Sequence, residues 1–331
     1  MDDSIFLTLC GVPKAQQPPN EVSFTRTPDG EWRSDATAAI TDMEAVCIRL
    51  YGLFHQAVLG HPEGHPLDYA TPIFVPSLGH SSDTPGSAEL LQKFLDAFPA
   101  DRRPDLHARM YVADCQKLIG GIQDLWQQIT YALGEFYRAL NGLEPGPVDG
   151  LIRPGVPVIT HQGPQATAVW IFAEIIYIRL HSLLDYSVKL GHEIQGLRES
   201  FQTYPKMASR NKQYGARRDL TFADDETHGT LFEDDPLIAE VETVRNQIIH
   251  NGLLDTRPTV FIRYAEGHLT EKFIMLPDMR EGRPISYVNR TLFYSTENKL
   301  NLRLPGLVRS LLHRQITTLA LLESHLRDRL A

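Results

Sequence analysis

Arg245, Asn246 and His250 are the residues of this chain best suited to chemistry. The run Arg245-Asn246-Gln247-Ile248-Ile249-His250 sets a guanidinium, an amide and an imidazole close together. A guanidinium stabilises phosphoryl charge and an imidazole moves protons near neutral pH, so the trio suits RNA cleavage without a metal. The same arginine-to-histidine spacing recurs at Arg102 to His107 and at Arg263 to His268. The elements around each match must therefore decide between them.

The match at Arg102 contains Pro104 and reads as the start of a helix. The match at Arg263 lies in a β-branched and aromatic run, Thr259 to His268. There Glu266-Gly267 predicts a turn toward a second strand around Lys272 to Leu276. The central match differs. Asp234-Asp235-Pro236 supplies an N-cap and a proline at the first helical position, and Asn251-Gly252 supplies a stop, which predicts a helix from Pro236 to His250. At about 100° per residue, Leu237, Val241, Val244 and Ile248 form its core stripe, Asn246 and His250 point away, and Arg245 lies between. On the residues alone two readings stand: a catalytic trio, or polar groups that cap a helix end and face water.

These residues resemble the HEPN superfamily, whose mark is an arginine, a polar residue and a histidine near the end of a helix in a small bundle. Arg245, Asn246 and His250 match those positions, Ile248-Ile249 and Asn251-Gly252 are also similar to many members, and Glu174 to Tyr186 resembles the long helix before the motif helix. The resemblance covers roughly Ala166 to Ala331. It implies a dimeric, metal-independent endoribonuclease of a toxin, antiphage-defence or RNA-processing system, with Arg245, Asn246 and His250 as catalytic residues and two protomers sharing one site. It equally admits a non-catalytic RNA- or nucleotide-binding module, or a dimeric scaffold in a defence complex. A related toxin–antitoxin group carries a modified tyrosine two residues after the histidine; here that position is Gly252, so that mode of control is not carried over.

The 331 residues are 42% hydrophobic and 22% charged, which suits a soluble globular protein with a sizeable core. A formal net charge of -9 excludes a general nucleic-acid coat protein, so any RNA contact must be local. The candidate contact is Lys206, Arg210, Lys212, Tyr214, Arg217 and Arg218, where cations for phosphates alternate with an aromatic ring for bases. The bland alternative is a solvated loop, its charge balanced by the acidic run from Asp224 to Asp235.

Cys10, Cys47 and Cys115 are odd in number and far apart, which predicts reduced thiols in a cytoplasmic protein. The run Ile5 to Cys10 is too short for a signal-peptide core. Ala166 to Leu184 is the most apolar stretch, yet it carries Glu174, Arg179 and His181, so a buried helix rather than a membrane span is expected. His55, His61 and His65 with Glu63 lie in a Gly/Pro loop rather than on one helix face, so neither a metal nor another cofactor is expected. The expected partners are RNA, a second copy of the chain and an antitoxin or defence-complex protein, with neither DNA nor membrane.

The fold class read from these patterns is mainly α: a HEPN-like helical bundle over 161–331 with a β insertion at about 257–295, preceded by a helical region over 1–160. In that first region, helices are predicted over Ala36 to Leu59, Ser87 to Phe98 and Leu106 to Leu140, with a short strand at Pro72 to Val75. A proline-rich connector, Glu144 to Pro147 and Arg153 to Pro157, marks the boundary. A last helix runs from Leu304 to Leu330, with Leu307, Leu311, Ile316, Leu319, Leu322 and Leu326 inward.

Overall fold

A computed structural model describes residues 6–15, 24–27, 30–34, 37–66, 68, 74–145, 158–211, 219–252 and 254–331. The chain is mainly helical. Two short strands, β1 (Thr25–Arg26) and β2 (Trp32–Arg33), precede α1 (Thr37–Leu59), α2 (Ala88–Ala97) and α3 (Arg103–Gly142). Then come β3 (Val158–His161), α4 (Pro164–Gln195), the single turn α5 (Asp224–Thr227) and α6 (Pro236–Asn251). Strands β4 (Val260–Ala265), β5 (His268–Phe273), β6 (Met279–Arg280) and β7 (Arg283–Pro284) lead to α7 (Leu300–Asp328).

The chain divides into two compact units, and both draw on residues from either side of position 160. A boundary between 160 and 161 therefore does not separate them. The first unit is Met1–Ile40, Leu125–Ser182 and Asp234–His313; the second is Thr41–Asp124, Leu183–Glu233 and Arg314–Ala331.

The first unit holds the antiparallel sheet β3-β4-β5. Glu266 (φ 52°) and Gly267 (φ 80°) make the turn between β4 and β5, both with the positive φ that a tight two-residue hairpin requires. Strand β3 was not anticipated. It follows immediately on the proline-rich connector, of which residues 146–147 and 153–157 lie outside the described residues, and pairs Val158 with Arg263 and His161 with Val260. The core of this unit includes Phe136 and Tyr137 of α3, Trp170, Ile176 and Tyr177 of α4, and Leu304 and Leu307 of α7, all buried.

Helix α7 begins at Leu300 and carries Pro305 inside. A proline has no N–H to give the carbonyl four residues back. That carbonyl, on Asn301, is satisfied instead by the buried Tyr137 hydroxyl, which lets the helix start earlier than its proline suggests. At Gly134 a Cβ would lie 2.1 Å from the Trp32 ring, so glycine is what admits this indole against α3, where its Nε1 donates to Glu135 Oε1 at 3.2 Å.

The second unit is tied by polar links across long sequence separations. Arg49 Nε and Nη2 donate to the two oxygens of Glu323 at 2.9 and 3.0 Å, and Glu193 accepts from the Tyr111 hydroxyl at 2.9 Å and from Ser209 N at 2.7 Å. Within the polar segment after α4, Leu231 and Phe232 are buried, and Leu231 N donates to Thr318 Oγ1 at 2.9 Å. Helix α2 starts where Ser87 Oγ accepts from Leu90 N at 3.0 Å. Val75 opens a 3-10 turn, Val75–Ser77, rather than ending a strand; residues 71–73 lie outside the described residues. On α7, Gln315 is buried where Ile316 was expected and accepts a hydrogen bond from Ser187 at 3.0 Å. Cys10, Cys47 and Cys115 are free thiols.

Among the described residues one helix, α4, is by length and composition long and apolar enough to cross a membrane, with a mean hydropathy of 1.4 over its most apolar window; half of that window is buried in the fold.

Candidate functional site

Helix α6 begins as its sequence predicts. Asp235 Oδ1 accepts from Leu237 N at 2.8 Å, Pro236 fills the first helical position, and Gly252 ends the helix at φ 85°. Its buried residues are Ile238, Glu240, Val241, Val244 and Ile248. The stripe is therefore displaced at its N-terminal end, with Ile238 buried and Leu237 only half-buried. Beyond the helix, Leu254 N donates to Glu174 Oε1 at 2.8 Å, which fastens the exit of α6 to α4.

Of the three predicted catalytic residues, Asn246 and His250 lie on the side of α6 away from that stripe and Arg245 lies on its flank. Asn246 and His250 are exposed and Arg245 is half-buried. Arg245 Nη1 donates to Asn246 Oδ1 at 3.0 Å, so the amide steadies the guanidinium. Ile249, next to His250, is an exposed apolar side chain.

A fourth group belongs with them and was missed as a site residue: His181 of α4. It is buried, and burial, reinforced by the positive charge of Arg245, pushes its pKa down to about 4. A neutral imidazole is thus held beside the guanidinium throughout the physiological range. Nothing local in the sequence links the two positions, because the pairing depends on how α4 meets α6.

This has a measurable consequence. A histidine that titrates near 6.5 when unfolded and near 4 when folded takes its proton first in the unfolded chain. Its stabilising contribution is complete above pH 6.5, falls as pH drops toward 4, and amounts to at most about 3 kcal/mol. Denaturant midpoints measured between pH 7 and pH 4 should fall less steeply in His181→Gln than in the parent chain. Identical slopes would show that His181 is not the group responsible.

The predicted RNA contact is only partly described. Lys206 and Arg210 are exposed in the second unit, Arg210 within a short turn at Ala208–Asn211; Lys212, Tyr214, Arg217 and Arg218 lie outside the described residues. The Tyr204 hydroxyl is committed to the Asp114 carboxylate.

Cavities of about 430, 370 and 350 Å3 are lined by other residues than Arg245, Asn246 and His250. The largest lies at the opposite end of α6, beside Glu240 and Arg303. The other two lie in the second unit, where the fold gathers His55, His61 and Asp68. Of the loop ligands weighed from sequence, Glu63 is exposed and His65 packs its ring on that of His61 at 4.4 Å. Asp68 was not weighed at all. Comparisons with family models, with curated proteins and with solved structures find no match for the chain.

Proposed function

We propose that the protein is a metal-independent endoribonuclease of the HEPN kind, working as a homodimer in a toxin or antiphage-defence system. The observation that carries this reading is the 3.0 Å contact from Arg245 to Asn246 on the open side of α6, with His250 exposed on the same helix end. His250 takes the proton of a ribose 2′-hydroxyl, whose oxygen attacks the adjacent phosphorus, or gives a proton to the departing 5′-oxygen. Arg245 stabilises the charged phosphorane, and Asn246 holds the guanidinium in place. The products are a 2′,3′-cyclic phosphate and a 5′-hydroxyl. One imidazole serves poorly as acid and base in the same turnover. A two-fold copy of α6 would supply the second and would cover the exposed Ile249. Lys206 and Arg210 are cations available to the RNA backbone in this reading.

A non-catalytic RNA- or nucleotide-binding module, or a scaffold of HEPN type, is the second reading. It is favoured by the openness of the site within a single chain and by the net charge of -9.

Single-stranded RNA should be cut without added divalent ion and without stimulation by magnesium. A DNA oligonucleotide of the same sequence should stay intact, since it lacks the attacking hydroxyl. Magnesium-dependent cutting, or cutting of DNA, would remove the proposed mechanism. Sedimentation should give a dimer; a monomer with no RNA cleavage leaves the binding-module reading.

A further inference from the structure

We propose that the second unit holds one zinc ion between His55, His61 and Asp68. The proposal does not rest on the ribonuclease reading. One ligand atom from each of the three residues falls within 4.8 Å of the others. His55 sits near the C-terminal end of α1 and is buried, while His61 and Asp68 come from the loop that follows.

The hydrogen bonds determine where the lone pairs are. His55 Nδ1 lies 2.9 Å from the His61 carbonyl oxygen, which can only accept, so Nδ1 carries a hydrogen and in the neutral ring Nε2 has the lone pair. That Nε2 faces Asp68 Oδ1 at 3.2 Å, one acceptor against another. His61 Nδ1 lies 3.2 Å from the Pro62 carbonyl oxygen and 3.9 Å from Asp68 Oδ1, so a neutral ring that donates from Nδ1 to the carbonyl has its lone pair at Nε2. An imidazole whose Nδ1–H is anchored on a backbone carbonyl is the usual form of a metal-ligating histidine.

Asp68 supplies the second, independent observation. Arg109 Nη1 donates to Oδ1 at 2.7 Å and so orients the carboxylate, but Oδ2 is buried with no hydrogen-bond partner. A buried carboxylate oxygen left unpaired asks for a cation. A proton on His55 would satisfy its contact with Oδ1 and leave Oδ2 unmet. A metal ion between the residues would take both imidazoles and the carboxylate as ligands.

Two imidazole nitrogens and one carboxylate suit zinc rather than magnesium or calcium, which prefer all-oxygen shells. Ligand atoms bonded to tetrahedral zinc at about 2.0 to 2.1 Å stand about 3.3 Å apart; His55 Nε2 and Asp68 Oδ1 stand 3.2 Å apart, and all three ligand atoms lie within 4.8 Å of one another. The fourth position falls to water, since cavities of about 370 and 350 Å3 reach His61 and the His55–Asp68 pair respectively.

The test uses the full chain, free of any histidine tag and stripped with a chelator, titrated with zinc by calorimetry and with cobalt by visible absorption. One equivalent should bind, cobalt should give the intense d–d bands of a tetrahedral site, and zinc should raise the melting temperature. Asp68→Asn and His61→Ala should each weaken binding by about a hundredfold or more, whereas His65→Ala should keep the affinity within a few-fold. Circular dichroism of the zinc-free variants checks folding; if His61→Ala does not fold, the near-isosteric Asp68→Asn decides. No zinc bound at tens of micromolar, or binding unchanged in Asp68→Asn, overturns the proposal. RNA cleavage is not the readout, so failure here leaves the Arg245 site untouched.

Discussion

His250→Ala should slow RNA cleavage by about a hundredfold or more while changing the stability of the fold by no more than about 1 kcal/mol. The imidazole is exposed at the end of α6, so truncating it opens no cavity and strands no buried polar partner. Its loss falls on proton transfer alone, where a positioned acid or base contributes on the order of 10² to 10⁴ in rate. Arg245→Ala should impair cleavage as well, and it additionally removes a charge that depresses the His181 pKa, so it also shifts the acid side of the stability profile. Ile248→Ala should show the opposite balance. That side chain is buried on the core face of the same helix, and its truncation should cost about 2 to 5 kcal/mol while the folded fraction keeps its rate. Melting curves and cleavage rates measured side by side on the three variants read this directly. Should His250→Ala lower the melting point with the rate per folded molecule unchanged, the imidazole is a helix cap and the enzyme reading fails.

Features settled by neighbours along the chain were legible in the sequence. Asp235-Pro236 and Asn251-Gly252 bound α6 to within a residue, and Glu266-Gly267 located the hairpin turn, because caps and positive-φ turns act over a few residues. The three arginine-to-histidine matches could be sorted for the same reason. Periodicity gave the spacing of the core stripe on α6 but not its phase at the N-terminal end. At that end Glu240, which accepts from Tyr177 and Arg303, each 63 residues distant, and Ile238 are buried on opposite flanks of the stripe, so the helix is enclosed around more of its circumference than the periodicity implies. Strand β3 escaped because it is short and its partner β4 lies about a hundred residues further on. His181 and Asp68 escaped in the same way. Their significance rests on a guanidinium from another helix and on a loop folding back to α1, and no local pattern encodes either.

Arg303→Ala should be among the most destabilising surface-accessible changes in the first unit. Glu240 is 1% exposed, and its two oxygens accept from Arg303 Nε at 3.0 Å each, with Arg303 Nη2 and the Tyr177 hydroxyl, at 2.9 Å, completing the set. Removing the guanidinium leaves a buried carboxylate with one neutral donor, a loss that typically costs about 3 to 5 kcal/mol. The lower end applies here, since the Arg303 side chain is 42% exposed and the cavity of about 430 Å3 beside the pair lets water replace part of what is lost. Tyr177→Phe removes only one hydrogen bond and should cost about 1 to 2 kcal/mol. The double variant Glu240→Met with Arg303→Met should recover most of the loss, because burying two apolar chains incurs no charge desolvation. Denaturant unfolding of the single and double variants gives the coupling between the two residues. Losses that simply add would mean that the pair does not act as a unit. Because Glu240 joins α6 to α4 through Tyr177 and to α7 through Arg303, an additive result would also mean that the hold of α7 on α6 does not depend on this contact.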